Sequence, residues 1–108
     1  MPVYVDELQT YPDSMIKPAA RRYGFTWCHM TADSLPELLA MARKLKLSPA
    51  HIQRGGSLKL IHFDLVPSKR VLAIRYGAIE QTAQEMIQRE YAKAEREFSG
   101  KAAEDGTD

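Results

Sequence analysis

Apolar positions along the chain switch between short β-prone runs and stretches with a helical period. Val3-Tyr4-Val5 is β-prone and ends at Asp6, which predicts a first strand. From 7 to 24 no period holds, and Pro12, Pro18 and Gly24 interrupt the segment. It reads as a long loop with one helical turn near 19–22, of a kind that often serves as a lid or binding loop. Phe25-Thr26-Trp27-Cys28-His29-Met30 predicts a second strand. Ser34 and Glu37 then stand at capping-box spacing, and Leu35, Leu38, Leu39, Ala42 and Leu45 recur with a 3.6-residue period. Together they predict a helix over 34–46, with Pro36 in its first turn. His51-Ile52-Gln53 reads as a short third strand, and Gly55-Gly56-Ser57 as a flexible turn leading into Leu58-Lys59-Leu60-Ile61. Pro67 opens and Gly77 closes a helix over 67–76. Ala78-Ile79-Glu80 forms a last strand. Thr82 and Glu85 repeat the capping-box spacing, and Ala83, Ile87, Tyr91, Ala94 and Phe98 predict a final helix over 82–98. The small polar residues of 99–108 predict a disordered tail behind a single domain of 1–98.

Strands alternating with helices predict an α/β fold: a small, mostly parallel sheet of three to four strands with three helices. Ligands of such sheets bind outside the carboxyl ends of the strands. That rule gathers Asp6, His29, Asp33, His62 and Asp64, with Ser68, Lys69 and Arg70 at the start of the 67–76 helix. Cations at a helix start oppose the dipole, and the misfit makes sense if a phosphate or carboxylate lies between them. His29, His62 and Asp64 are the candidate catalytic groups, since imidazole titrates near neutral pH. Asp6, Asp33, Ser68, Lys69 and Arg70 are the candidate ligand-binding groups. Each also has a plain structural reading: His29 a hydrogen-bonded strand residue, Asp33 a helix cap, Lys69 and Arg70 solvated charges. Cys28 reads as a small buried side chain and not as a nucleophile.

Composition narrows the choices. The chain has 108 residues, 44% hydrophobic and 27% charged, with net charge +1. That balance gives no general attraction to nucleic acid or membrane. No apolar run nears the roughly 20 residues that span a bilayer, and no signal-peptide pattern opens the chain. A single cysteine excludes an internal disulfide and fits a reducing, cytoplasmic setting. Zinc-type His-x-x-x-His and Cys-x-x-Cys spacings are absent, as are phosphate-loop and dinucleotide fingerprints. Two histidines and three aspartates still leave a mixed nitrogen–oxygen site for a divalent ion open, with no cofactor assigned.

The blocks Val3-Tyr4-Val5-Asp6, Cys28-His29-Met30-Thr31-Ala32-Asp33, Glu37-Leu38-Leu39-Ala40-Met41-Ala42, His62-Phe63-Asp64-Leu65 and Ser68-Lys69-Arg70 with Gly77-Ala78 resemble the domain-of-unknown-function family 4031 over 3–81. Members of that family are common in bacteriophages and bacteria, so a phage-encoded chain would work in the host cytoplasm. The resemblance implies that Asp6, His29, Asp33, His62, Asp64, Lys69 and Arg70 occupy the family's polar motif positions, and it carries no reaction. Three functions follow as expectations. The first is binding of a phosphate-containing, nucleotide-like ligand. The second is metal-assisted or histidine-dependent hydrolysis of a nucleotide, and the third is a protein-interaction domain with structural polar residues. The long apolar stripe of the last helix adds the expectation of a homo-oligomer, with packing onto its own sheet as the alternative.

Overall fold

A computed structural model describes residues 2–54 and 61–105. The expected Gly55-Gly56-Ser57 turn and the Leu58-Lys59-Leu60 lead-in lie outside the described residues. The strands are β1 (Val3–Val5), β2 (Gln9–Thr10), β3 (Thr26–Ala32), β4 (Phe63–Leu65) and β5 (Ile79–Glu80). The helices are α1 (Leu35–Lys44), α2 (Pro67–Arg75) and α3 (Ala83–Asp105). The segment expected as a long loop with one helical turn near 19–22 holds that turn as the 3-10 stretch Pro18–Tyr23, and adds β2 and a second 3-10 stretch, Asp13–Met15.

The fold is α/β as expected, but the sheet is mixed where a mostly parallel one was predicted. β3 is its spine and pairs antiparallel with β1, β2 and β4. The parallel pairing is β1 with β5. The parallel expectation assumed a helix between successive strands. Between β1 and β3 the chain offers 3-10 turns instead, so β3 returns antiparallel beside β1. An intervening helix does not by itself make neighbours parallel: α1 joins β3 to β4, which pair antiparallel, whereas β4, α2 and β5 form a crossover whose two strands run the same way.

At His51-Ile52-Gln53 the predicted strand gives way to a 3-10 turn, Pro49–His51, followed by one antiparallel bridge between Gln53 and His62. Pro49 lacks the N–H that a ladder needs and fixes φ for a turn.

Strand alternation divides β3 into two faces. Cys28, Met30 and Ala32 meet Val3 and Val5 of β1, Phe63 and Leu65 of β4, and Leu38, Met41, Ala42 and Leu45 of α1 in one buried cluster, which Ala73 of α2 joins. The α1 period is thus confirmed at Leu38, Ala42 and Leu45, while Leu35 stays exposed. The other face carries Tyr4, His29, Thr31 and Asp64, through the pairs Tyr4↔Thr31 and His29↔Asp64.

Both short helices end alike. After α2 the Gly77 N–H donates to the Ile74 carbonyl and that of Ala78 to Ala73, with Gly77 at φ +105. After α1 the Lys46 N–H donates to Arg43 and that of Leu47 to Ala42, with Lys46 at φ 60. These are the paired bonds of a Schellman stop, built once on glycine and once on lysine.

The predicted caps also form, at α1 by the serine alone and at α3 as a full capping box. The Glu37 N–H donates to Ser34 Oγ at 3.4 Å. At α3 the exchange is reciprocal, Thr82 N–H to Glu85 Oε1 at 2.9 Å and Glu85 N–H to Thr82 Oγ1 at 3.0 Å. α3 meets the second face of the sheet through Arg89, which donates to Thr31 Oγ1 at 2.7 Å and stacks its guanidinium 3.4 Å from the Tyr4 ring centroid. Among its described side chains the buried ones are Met86 and Glu90, while Ile87 and Tyr91 of the predicted stripe are exposed and Phe98 lies outside the described side chains.

Candidate metal centre

His29 lies in the middle of β3 with Asp64 directly across on β4, so both side chains project from the same face. His62 precedes Asp64 by two residues and joins them, its ring centroid 5.3 Å from that of His29 at 70°. The ligand atoms of His29, His62 and Asp64 all lie within 4.8 Å of one another. His62 Nε2 stands 3.5 Å from Asp64 Oδ1. Two ligands at about 2.05 Å from a tetrahedral zinc ion stand about 3.3 Å apart, so this spacing is close to that of a coordinated pair. His62 is buried, whereas the Asp64 side chain is 38% exposed, so the cluster opens to solvent on the Asp64 side.

Asp6 stands behind His29. Its Oδ1 accepts the His29 backbone N–H at 2.6 Å, and its Oδ2 lies 2.8 Å from Nδ1 of the ring. The carboxylate is an acceptor, so Nδ1 is the donor and Nε2 is left as the lone-pair face of the imidazole. The hydrogen bond to Asp6 raises the His29 pKa against the opposing effect of burial. A carboxylate that orients one ring nitrogen while the other faces a ligand is the usual support of a metal-bound histidine. Two imidazoles and one carboxylate suit a borderline divalent transition ion and leave room for water.

Most other candidates go elsewhere. Lys69 Nζ donates to the Leu45 carbonyl at 2.8 Å, so it caps the C-terminal end of α1. Arg70 Nε donates to the Asp6 carbonyl at 2.8 Å, and its Nη2 pairs with Glu80 at 3.2 Å. The two cations at the α2 start therefore bind carbonyls and a carboxylate of the protein, which accounts for their position without a ligand. Arg70 does belong to the centre at one remove, since it anchors the residue that orients His29. Ser68 is exposed. Asp33 follows β3 at its far end and takes the Tyr4 hydroxyl at 3.5 Å and Arg89 at 3.7 Å. The α1 cap is Ser34. Cys28 is buried on the opposite face, where desolvation pushes its thiol up to about 12 and makes it inert at neutral pH.

The sequence reading missed Arg89, which ties α3 to Thr31, Gln81 and Asp33 and pairs with its neighbour Glu90. No local signal marks its tie to the sheet, because Thr31 is 58 positions away.

A family model described as a protein of unknown function (DUF4031) matches residues 3–93. The match runs beyond the expected 81 and takes in Arg89. No curated protein and no solved structure matches the chain.

Proposed function

The chain belongs to the DUF4031 family, and we propose that it is a small metal-dependent hydrolase of a phosphate-containing ligand. His29, His62 and Asp64 are the metal ligands, and Asp6 is the positioning residue behind His29. The observation that carries this reading is the convergence of the three donor groups within 4.8 Å. The 2.8 Å contact from Asp6 to the far nitrogen of His29 supports it.

A divalent ion in such a site lowers the pKa of bound water to about 7 and attracts a phosphate. The chain's own residues do the rest. His62, held between the Gln53 bridge and β4, fixes one ligand direction. His29 fixes the second, and Asp64 supplies negative charge at the open edge. A bound ion would hold the phosphate of the ligand, since the cations of the α2 start serve Leu45, Asp6 and Glu80.

Isothermal titration of tag-free, chelator-treated protein with zinc, manganese and cobalt tests the reading. One ion per chain at micromolar affinity or tighter is expected, with binding abolished in His62→Ala. Metal-dependent turnover of a generic phosphodiester is the second arm. Saturating metal without turnover would leave a metal-binding module, and absence of metal binding in the folded protein would remove the proposal.

A further inference from the structure

The face that carries His29 continues past it into an aromatic shelf. Trp27 lies two residues before His29 on β3 and so projects to the same side. Gln9 of β2 stands directly opposite Trp27. Tyr11 follows Gln9 at alternate spacing; its N–H donates to the Phe25 carbonyl at 2.8 Å and its hydroxyl to Gln9 Oε1 at 3.3 Å. The shelf adjoins the metal centre along β3, where Trp27 and His29 are alternate residues on one side. Tyr23 meets Trp27 edge to face, with ring centroids 6.4 Å apart at 79°, and the Arg22 guanidinium sits 4.8 Å from the Tyr23 ring centroid. Trp27 Nε1 donates to the Gly24 carbonyl at 3.2 Å. Gly24 has φ +96, a conformation that disfavours side-chain-bearing residues and sets the turn bringing Tyr23 back over Trp27.

A packed satellite core would bury these rings. Instead Tyr23 is 52% and Phe25 41% exposed, at the edge of a charged centre. Exposed aromatic surface beside converging polar groups is the make-up of a binding site, and flat rings with a guanidinium favour a flat, electron-rich partner. The charge available is small: Arg21 is paired with Asp13 at 3.2 Å, and the whole chain carries +1. That suits one phosphate group at a metal ion and not the many phosphates of a polymer.

We infer that the shelf of Tyr11, Tyr23, Phe25 and Trp27 is a base-stacking subsite, and that the substrate class is a nucleoside phosphate with its base on the shelf and its phosphate at the His29–His62–Asp64 ion. This assignment rests on the metal reading of the same site.

Trp27 is the sole tryptophan, so its fluorescence reports on the shelf directly. The full chain is titrated with adenosine 5′-monophosphate, ribose 5-phosphate, adenosine and a ten-nucleotide single strand, with zinc present and again with chelator. Stacking strengthens binding by about tenfold or more, so the monophosphate should bind at least that much tighter than ribose 5-phosphate. Adenosine should quench Trp27 even in chelator. Tyr23→Leu, at an exposed position, should bring the monophosphate to the level of ribose 5-phosphate by calorimetry while leaving zinc affinity unchanged. Trp27→Leu should do the same if it folds.

Equal affinity for the monophosphate and ribose 5-phosphate in zinc-loaded protein overturns the subsite while leaving the metal reading intact. Quenching by adenosine in a protein that takes no metal keeps the shelf and removes the metal reading. A single strand that binds far tighter than the monophosphate overturns the mononucleotide assignment.

Discussion

The two faces of β3 are stabilised by different physics. Cys28, Met30 and Ala32 enter a close-packed cluster in which energy follows buried area and lost volume. His29 and Thr31, one residue over, sit among Asp6, His62, Asp64 and Arg89, where energy follows direction, protonation and pairing. The first face is sensitive to shape and indifferent to pH, and the second is the reverse. The polar face also depends on the apolar one. Phe63 lies between His62 and Asp64 in sequence and points the other way, so the anchor of the core sets the spacing of the candidate ligands. A cut through the apolar face should therefore remove both fold and site. A cut through the polar face should remove the site alone.

Phe63→Ala gives the largest effect. It empties a fully buried position and should cost about 3–5 kcal/mol in denaturant unfolding, with metal binding lost as the fold fails. A cost below about 1 kcal/mol would mean that the two faces are not coupled in this way.

On the polar face Asp6→Asn keeps an acceptor for the His29 backbone N–H but removes the negative charge that faces Nδ1. Zinc affinity should fall about 10–100-fold, the usual effect of losing such a support. A cooperative unfolding transition should remain. Unchanged affinity would show that Asp6 holds the strand and not the ligand.

The pH response separates the faces further. His29 has its pKa raised in the fold by Asp6, so this pair contributes stability fully below the ordinary histidine value of about 6.5. That contribution is lost as pH rises through the raised value. Metal-free protein should thus lose this part of its stability on the alkaline side, and His29→Gln should abolish the trend. Metal affinity should run the opposite way, because the ligand must be deprotonated. Melting curves from pH 5.5 to 8.5, with chelator and with zinc, measure both; parallel trends would break the assignment of His29 as a ligand.

How far the two faces could be read beforehand follows from the range of the interactions. The α1 period, both helix caps and the Gly77 stop are local, so a few neighbouring residues specify them. His29, His62 and Asp64 were recognisable as a group, because histidines and carboxylates at strand ends are conspicuous in a chain with three histidines. Their register was not, since no local rule states that His29 faces Asp64. The partners of the lysine and arginine at the α2 start were hidden for the same reason. Lys69 serves the end of a different helix, with Leu45 twenty-four positions away, and only the tertiary fold supplies that partner.

A smaller change tests the local side of that contrast. Lys46 holds the left-handed position that Gly77 holds at the next helix, and it is exposed. A side-chain-bearing residue there costs about 1–2 kcal/mol of strain, offset in part by the greater freedom that glycine brings to the unfolded chain. Lys46→Gly should raise stability by up to about 1 kcal/mol, without touching zinc affinity. A loss of stability would mean that the Lys46 side chain makes a contact worth more than the strain.

The smallest effect is expected at Ser68, and it bears on the anion site the sequence suggested. Ser68 is exposed in the first turn of α2, next to Lys69 and Arg70, whose charges are held by Leu45, Asp6 and Glu80. A hydroxyl that completed a phosphate cradle there would add a bond to a charged group, worth about 1.5–3 kcal/mol in ligand affinity. A hydroxyl that merely faces water changes stability by no more than about 0.5 kcal/mol when removed. Ser68→Ala should therefore leave unfolding, zinc binding and phosphate-ligand affinity at wild-type values. A tenfold loss of phosphate-ligand affinity with zinc binding intact would move the anion from the ion at His29, His62 and Asp64 back to the start of α2.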